Sequence, residues 1–193
     1  SLRNMNQSVE QCAELLSSCG MDVLAYCCTS GSFIEGPGYD QKIISMIENK
    51  AGIPTVATSA ASVEAMKFLG LKRISVVTPY PDDVNARIPA FFEGNGFEIV
   101  NVAGRGLGTV KSIDICNDPV DEIEKFAIDN FDPSADGLFM SCTAWNALSV
   151  VERVEQAIGR PVVTANQATI WAAFRKLGYS HSYQGYGTLF REG

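Results

Sequence analysis

Two stretches of this chain repeat each other, and that repeat limits the fold more than any single motif. Residues 21–34 (MDVLAYCCTSGSFI) align with residues 135–148 (ADGLFMSCTAWNAL), placing Cys28 on Cys142. Residues 52–71 (GIPTVATSAASVEAMKFLGL) align with residues 159–179 (GRPVVTANQATIWAAFRKLGY), with one extra residue. Cys-Thr, Gly-x-Pro and a terminal Leu-Gly keep one order in both copies, at separations of 114 residues for the cysteines and 107 for Pro54 and Pro161. Strand-like runs occur at Val23–Cys27, Thr55–Thr58, Ile74–Thr78, Glu98–Val102, Leu138–Ser141 and Val162–Thr164. Between them, Ser8–Leu16, Asp40–Lys50, Ser62–Leu69, Asp82–Gly94, Pro119–Asn130, Asn146–Ile158 and Ala168–Leu177 have helical spacing. Asp118-Pro119 suits a helix start, and Gly20, Gly94, Gly159 and Gly178 suit helix ends. Strand alternating with helix implies parallel sheet covered by helices. The expected fold is α/β, with two pseudo-symmetric lobes that are each a parallel sheet flanked by helices, and a site between them. Residues 1–70 with 165–193 make the first lobe, and residues 71–164 the second.

The copies are unequal upstream. Ala135 lies 64 positions after Leu71, and two strands with their helices fill that interval, whereas only 20 residues precede Met21. A parallel sheet without its first strands exposes edges that native chains normally cover. The first lobe is therefore expected to be cut short, with roughly 40 or more residues belonging before Met21.

Charge and composition remove several function classes. Fifteen Lys+Arg against 22 Asp+Glu give a net charge of −7. The cations are scattered and not interleaved with aromatics, so no basic stripe marks a nucleic-acid or anionic-membrane partner. The longest charge-free run, Gly137 to Val151, is 15 residues and contains Ser, Thr and Asn, too short and polar for a membrane span. No secretory signal is visible, and a cytoplasmic location is expected. The single histidine, His181, cannot make a multi-histidine metal site and suits no serine triad. None of the six cysteines forms a C-x-x-C pair, so neither a zinc ribbon nor a thioredoxin-like site is expected. The default for a reduced cysteine is a small buried hydrophobe.

Cys28 and Cys142 stand apart. Each ends a strand and precedes a small polar turn, the position where open α/β folds bind ligands and where backbone N–H groups lower a thiol's pKa. A pseudo-two-fold places them on opposite walls of one cleft. Two such thiols can exchange a proton across a carbon centre, or one can add to a double bond while the other manages the proton. Strand alternation lets only one of Cys27 and Cys28 face the cleft, and the repeat selects Cys28, leaving Cys27 packed against a helix. Cys12 on a helical stripe, Cys19 at that helix's end and Cys116 in a connecting loop are read as structural.

The segments CTSGSF (28–33), TPYPDDVNAR (78–87), SCT (141–143) and TANQATIWAAFR (164–175) resemble the Asp/Glu/hydantoin racemase superfamily. The resemblance spans nearly the whole chain and is greatest to the branch of maleate cis-trans isomerases and arylmalonate decarboxylases. It implies two pseudo-symmetric α/β lobes, one cysteine from each in an interlobe site, and no cofactor or metal. Carried over by motif, Cys28 matches the isomerase nucleophile, where the decarboxylases have glycine, and Cys142 matches the proton donor of both. Thr29, Ser30, Tyr80 and the backbone at Thr143 match the pocket that hydrogen-bonds a substrate carboxylate, and such a cluster stabilises an enediolate as an oxyanion hole does. The first strand of that family, which carries an asparagine in the isomerases, has no counterpart here. The isomerases have a second asparagine in a loop that here reads GLGTVKSID (106–114), without asparagine and closer to the decarboxylases.

Three further features have plainer readings. GRGLG (104–108) departs from the G-x-G-x-x-G fingerprint and is read as a loop beside the cleft. Asp82 and Asp83 open a helix, where carboxylates serve as cap and dipole partner rather than metal pair. Asn166 and Gln167 begin a helix at a strand end, where capping is expected and substrate contact through Asn166 is an alternative. The expected activity is a cofactor-independent isomerase or racemase of a small carboxylate or dicarboxylate. A malonate-type decarboxylase using Cys142 and an inactive ligand-binding homologue stand as alternatives, and a homo-oligomer remains open.

Overall fold

The computed structural model describes residues 5–107, 113–180 and 182–193. Its strands are all parallel and form two sheets. One pairs β1 (Leu24–Tyr26) with β2 (Thr55–Ala57); the other has the order β4-β3-β5-β6, from β3 (Arg73–Thr78), β4 (Glu98–Gly104), β5 (Gly137–Met140) and β6 (Val162–Thr164). In chain order the helices are α1 (Val9–Ser17), α2 (Thr29–Phe33), α3 (Tyr39–Ala51), α4 (Thr58–Phe68), α5 (Asp82–Asn85), α6 (Ile88–Glu93), α7 (Ile113–Cys116), α8 (Val120–Asp129), α9 (Val151–Ile158), α10 (Ala165–Lys176) and α11 (Gly187–Glu192). No described helix is long and apolar enough to cross a membrane.

The repeat is reproduced pair by pair. Leu24, Ala25 and Tyr26 stand opposite Thr55, Val56 and Ala57; their counterparts Leu138, Phe139 and Met140 stand opposite Val162, Val163 and Thr164. Both copies enter the pairing identically, with Leu24 N–H donating to the Pro54 carbonyl at 2.9 Å and Leu138 N–H to that of Pro161 at 3.0 Å. The correspondence reaches further upstream than the aligned segments. Glu48 accepts from the Thr55 N–H, and Glu155, 107 positions later, accepts from the Val162 N–H, each at 2.9 Å. In each copy a carboxylate on the preceding helix satisfies the strand's first free donor, which would otherwise be left unpaired near the core. Gly52 and Gly159 close those helices in the left-handed conformation, at φ 69° and 64°.

The core sits on β3 and β5. Ile74, Val76, Val77, Leu138, Phe139 and Met140 are fully buried, the expected pattern for parallel strands covered on both faces. Phe92 centres an aromatic cluster, edge-on to Phe91 and Phe139 with both centroids 5.2 Å away and to Phe97 at 6.2 Å.

Several sequence expectations need correction. The helix expected over Asp82–Gly94 breaks into α5 and α6 at Ala86-Arg87, ahead of Pro89, whose ring lacks the N–H a continuous helix would use. Gly94 stays right-handed, and Gly96 takes the positive φ. The helices expected from Ser62 and Ala168 begin at Thr58 and Ala165, directly off their strands. For α10 the reason is a capping box: Thr164 Oγ1 accepts from Gln167 N–H at 3.1 Å, and Gln167 Oε1 accepts from Thr164 N–H at 3.2 Å. Asn146–Ile158 opens with a 3-10 turn, Ala147–Val150, before α9. Cys116 closes the short α7 rather than lying in a loop.

Gly104 ends β4 where the chain passes the loop after β3. A β-carbon there would lie 2.6 Å from the Tyr80 carbonyl oxygen and collide with the Asn85 amide. Gly104→Ala is therefore expected to destabilise the fold by about 1–3 kcal/mol through overpacking, measured as a lower urea midpoint at unchanged m-value.

Candidate active site

Cys28 follows β1 as the N-cap of α2, with extended backbone (φ −141°, ψ 101°). Its Sγ accepts from the Gly31 N–H at 3.3 Å and lies 3.8 Å from Ser30 Oγ. The Tyr26 hydroxyl is a further partner of the thiol and donates to Asn6 Oδ1. Burial, reinforced by Cys28, pushes the Tyr26 hydroxyl above the ordinary phenol range. Thr29 and Ser30 form the first turn of α2 and are 1% and 8% exposed; Thr29 Oγ1 is buried with no hydrogen-bond partner among the described residues. A buried hydroxyl without a partner is an exception in a folded chain, and it sits in the residue that follows Cys28.

Cys142 follows β5 and has a different environment. It adopts φ 95°, a left-handed conformation that a non-glycine residue holds only where its surroundings enforce it. Burial pushes its thiol up; the Ala144 N–H, the Tyr80 hydroxyl and the Trp145 N–H pull it back down, and a charge on Cys28 raises it again. Tyr80 lies between the two turns, 6% exposed, its hydroxyl 3.4 Å from Ser141 Oγ and bonded to Cys142. Burial above all, then Cys142, raises the Tyr80 hydroxyl well above its usual value.

Asn85, which the TPYPDDVNAR segment contains without any local sign of its role, fixes the Tyr80 loop. Its Nδ2 donates to the Tyr80 carbonyl at 3.0 Å, and its Oδ1 accepts from Thr78 Oγ1 at 2.7 Å; that hydroxyl in turn accepts from the Tyr80 N–H at 3.0 Å. The two cysteine turns also touch directly, Thr143 Oγ1 donating to the Cys27 carbonyl at 2.9 Å. The structure thus brings Cys28, Thr29, Ser30, Tyr80, Cys142 and Thr143 into one region.

Asn166 is half-buried as the second residue of α10, and among the described residues its side chain bonds to neither thiol; the cap there is made by Thr164 and Gln167. Asp82 and Asp83 occupy the first turn of α5, but Pro81 is the N-cap and no side chain caps, so only the dipole role fits. Cys12, Cys19, Cys27 and Cys116 are exposed, contrary to the buried-hydrophobe default, and Cys27 is not packed away behind a helix. Helical and strand periodicity names a face, not how deeply that face is covered. Of the GRGLG loop, Arg105, Gly106 and Leu107 zip by their N–H groups onto Thr78, Tyr80 and Pro79 at 3.0, 3.2 and 2.7 Å. Residues 108–112 and His181 lie outside the described residues.

The sequence profile of the arylmalonate decarboxylase family matches residues 1–190. The chain belongs to that family. It is 29% identical over 189 residues to the arylmalonate decarboxylase of Bordetella bronchiseptica, covering 96% of this chain and 78% of that one. It is 26% identical over 182 residues to the maleate isomerase of Alcaligenes faecalis, covering 92% and 72%. Its fold superimposes with a TM-score of 0.94 on a cysteine-to-serine mutant of the Nocardia farcinica maleate cis-trans isomerase with a covalently bound succinylcysteine intermediate, at 24% identity, covering 100% of this chain and 80% of that one. The family is thus one of enzymes, with isomerases and a decarboxylase among this chain's relatives.

The thiolate is the form that reacts with alkylators, so a raised pKa means that Cys142 labels slowly at neutral pH and faster as pH climbs past the ordinary thiol range. Iodoacetamide followed by peptide mass mapping is expected to modify Cys12, Cys19 and Cys116 before Cys142. Tyr80→Phe removes a donor to the thiolate and is expected to slow Cys142 labelling at pH 8 by a further roughly threefold to tenfold.

Proposed function

We propose that this chain is a cofactor-independent isomerase or racemase of a small carboxylic acid, maleate isomerase-like, that uses Cys28 and Cys142. The observation that carries the reading is the pair of thiols on equivalent turns of the repeat, both close enough to act on the one buried tyrosine, Tyr80. The succinylcysteine of the Nocardia farcinica isomerase supports a covalent route in this fold.

In the isomerase version, the Cys28 thiolate adds to one alkene carbon. A sulfur–carbon bond forms, and the π electrons move onto the neighbouring carboxylate as an enediolate. The former double bond is now single and rotates. Cys142 gives its proton to the carbon next to that carboxylate, leaving a saturated thioether. After rotation the Cys142 thiolate takes the proton back, the re-formed enediolate collapses to the alkene, and the sulfur–carbon bond breaks, returning the Cys28 thiolate and releasing the trans acid. In the racemase version, one thiolate removes the α-proton and the other thiol returns one on the opposite face. Thr29, Ser30, Tyr80 and the backbone at Thr143 would hold the carboxylate in either case, and neutral donors of this kind favour charge that develops during reaction over charge already present.

A second reading, decarboxylation of a malonate-type acid with Cys142 protonating the enediolate, is favoured by the loop 106–114, which lacks asparagine, and by the likeness to the decarboxylase. Cys28 weighs against it, because a simple decarboxylation needs only one proton donor.

A substrate panel separates these: maleate to fumarate, α-deuterium exchange of aspartate and glutamate, and CO2 release from arylmalonates. Turnover in one of the first two assays is expected, with Cys28→Ser and Cys142→Ser each losing at least about 100-fold in kcat. Isomerisation or exchange surviving both changes would sink the two-thiol mechanism. CO2 release that Cys142→Ser abolishes and Cys28→Ser leaves intact would favour the second reading.

A further inference from the structure

We propose that Asp118 is a positioning residue for Cys142, acting through Trp145, and that Arg105 ties the same carboxylate to the Tyr80 loop. The inference rests on the reading of Cys142 as the proton-handling thiol, and it concerns residues well outside the turn itself.

Asp118 precedes α8 and its side chain is 2% exposed. One carboxylate oxygen accepts from the Trp145 indole N–H at 2.7 Å; the other accepts from Arg105 Nη2 at 2.8 Å. Trp145 is 1% exposed and lies three residues beyond Cys142, whose carbonyl accepts from the Trp145 backbone N–H at 3.3 Å. The indole is pinned at one end by a buried charge and at the other by the turn it closes. Phe126 packs edge-on against it at 6.4 Å, and the Arg105 guanidinium lies over the Phe126 ring at 5.4 Å. Arg105 begins the backbone zipper onto Thr78, Pro79 and Tyr80. The carboxylate therefore joins the loop that carries Tyr80 to the turn that carries Cys142, the two parts whose side chains meet.

The backbone of Cys142 gives this clamp a task. A cysteine holds φ 95° only where its surroundings enforce it, so loosening the clamp frees the turn that keeps the thiol buried beside Tyr80. Burial is the largest influence on the thiol and outweighs the Ala144, Tyr80 and Trp145 donors that oppose it, so a turn that opens to water brings Cys142 down towards the ordinary thiol range even as those donors are lost. The titratable groups that act on Cys142 are Tyr80 and Cys28. Asp118 itself is faced by Arg105, which also pairs with Glu122 at 3.8 Å.

The test needs no substrate. In the full chain, Trp145→Phe keeps the ring and removes the indole donor; Asp118→Ala removes the acceptor; Asp118→Asn keeps an acceptor for the indole and loses the ion pair. Cys142 labelling by iodoacetamide is followed across pH by peptide mass mapping, with Cys28 as internal reference and thermal melting in parallel. In Trp145→Phe and Asp118→Ala, Cys142 is expected to label at least about fivefold faster at pH 7 with its pH midpoint moved down towards the ordinary thiol range, Cys28 staying within about twofold. Asp118→Asn is expected to hold Cys142 near the parent profile while lowering Tm. Unchanged or slower Cys142 labelling in a folded Trp145→Phe variant overturns the proposal, whatever happens to Tm. Full turnover in Cys142→Ser would instead defeat the functional reading and leave this comparison intact.

Discussion

Among the described residues the two sheets share no strand pairing, so their relative placement rests on the seam where α4 meets α10. That seam is directed by hydroxyls. Thr169 Oγ1 on α10 donates to Thr58 Oγ1 on α4 at 2.9 Å, and Thr58 Oγ1 donates to the Tyr26 carbonyl at the end of β1 at 3.1 Å. Both threonines are buried, so each hydrogen bond has no water to replace it, and losing one partner costs about 1–3 kcal/mol rather than the modest net value of the bond. Trp171 packs on Phe68 at 5.3 Å beside it, with the Arg175 guanidinium 4.8 Å from the indole. Apolar packing alone would let two helices slide. The hydroxyl chain fixes their register, and its last link lies two residues before Cys28.

The two sites that the repeat makes equivalent are not alike. Cys28 leaves its strand in an ordinary extended conformation, half-buried, with a helical N–H on its sulfur. Cys142 leaves the matching strand in a left-handed conformation, buried against a tyrosine. A half-exposed thiol with a backbone donor suits a nucleophile, and a buried thiol that keeps its proton suits an acid. The repeat carries two thiols; the surroundings separate what each can do.

The sequence disclosed the strand pairing closely, because a parallel repeat that keeps Cys-Thr and Gly-x-Pro in order also keeps register: Leu24 against Thr55 becomes Leu138 against Val162. Short-range departures were less visible. Thr58 and Ala165 start helices with no intervening loop, in segments whose Ser, Thr and Asn content reads as turn. Exposure of Cys12 and Cys27 was illegible for another reason, since it depends on which elements cover a face. Asp118 shows the limit most clearly. In sequence it is a polar residue before a proline, a fair helix start. Its partners lie 13 positions upstream and 27 downstream, and nothing local announces either.

The same network bears on how an acidic chain could hold an acidic substrate. With a net charge of −7, a fixed cation in the proposed site would be the expected remedy, and Arg105 is a cation whose backbone joins the Tyr80 loop. Yet its guanidinium is engaged by the buried Asp118 carboxylate, with Glu122 as a second, exposed partner. A guanidinium aimed into the pocket would stabilise a ground-state carboxylate and an enediolate alike, and uniform stabilisation does not accelerate the chemical step. In the proposed site the engagement of Arg105 leaves hydroxyls and backbone N–H groups as the donors, and such donors strengthen as charge moves onto carboxylate oxygens. In the proposed reaction that is the moment when Cys28 has added or a proton has left. A positively charged pocket would bind better, and a neutral, rigidly held one discriminates better between ground state and transition state.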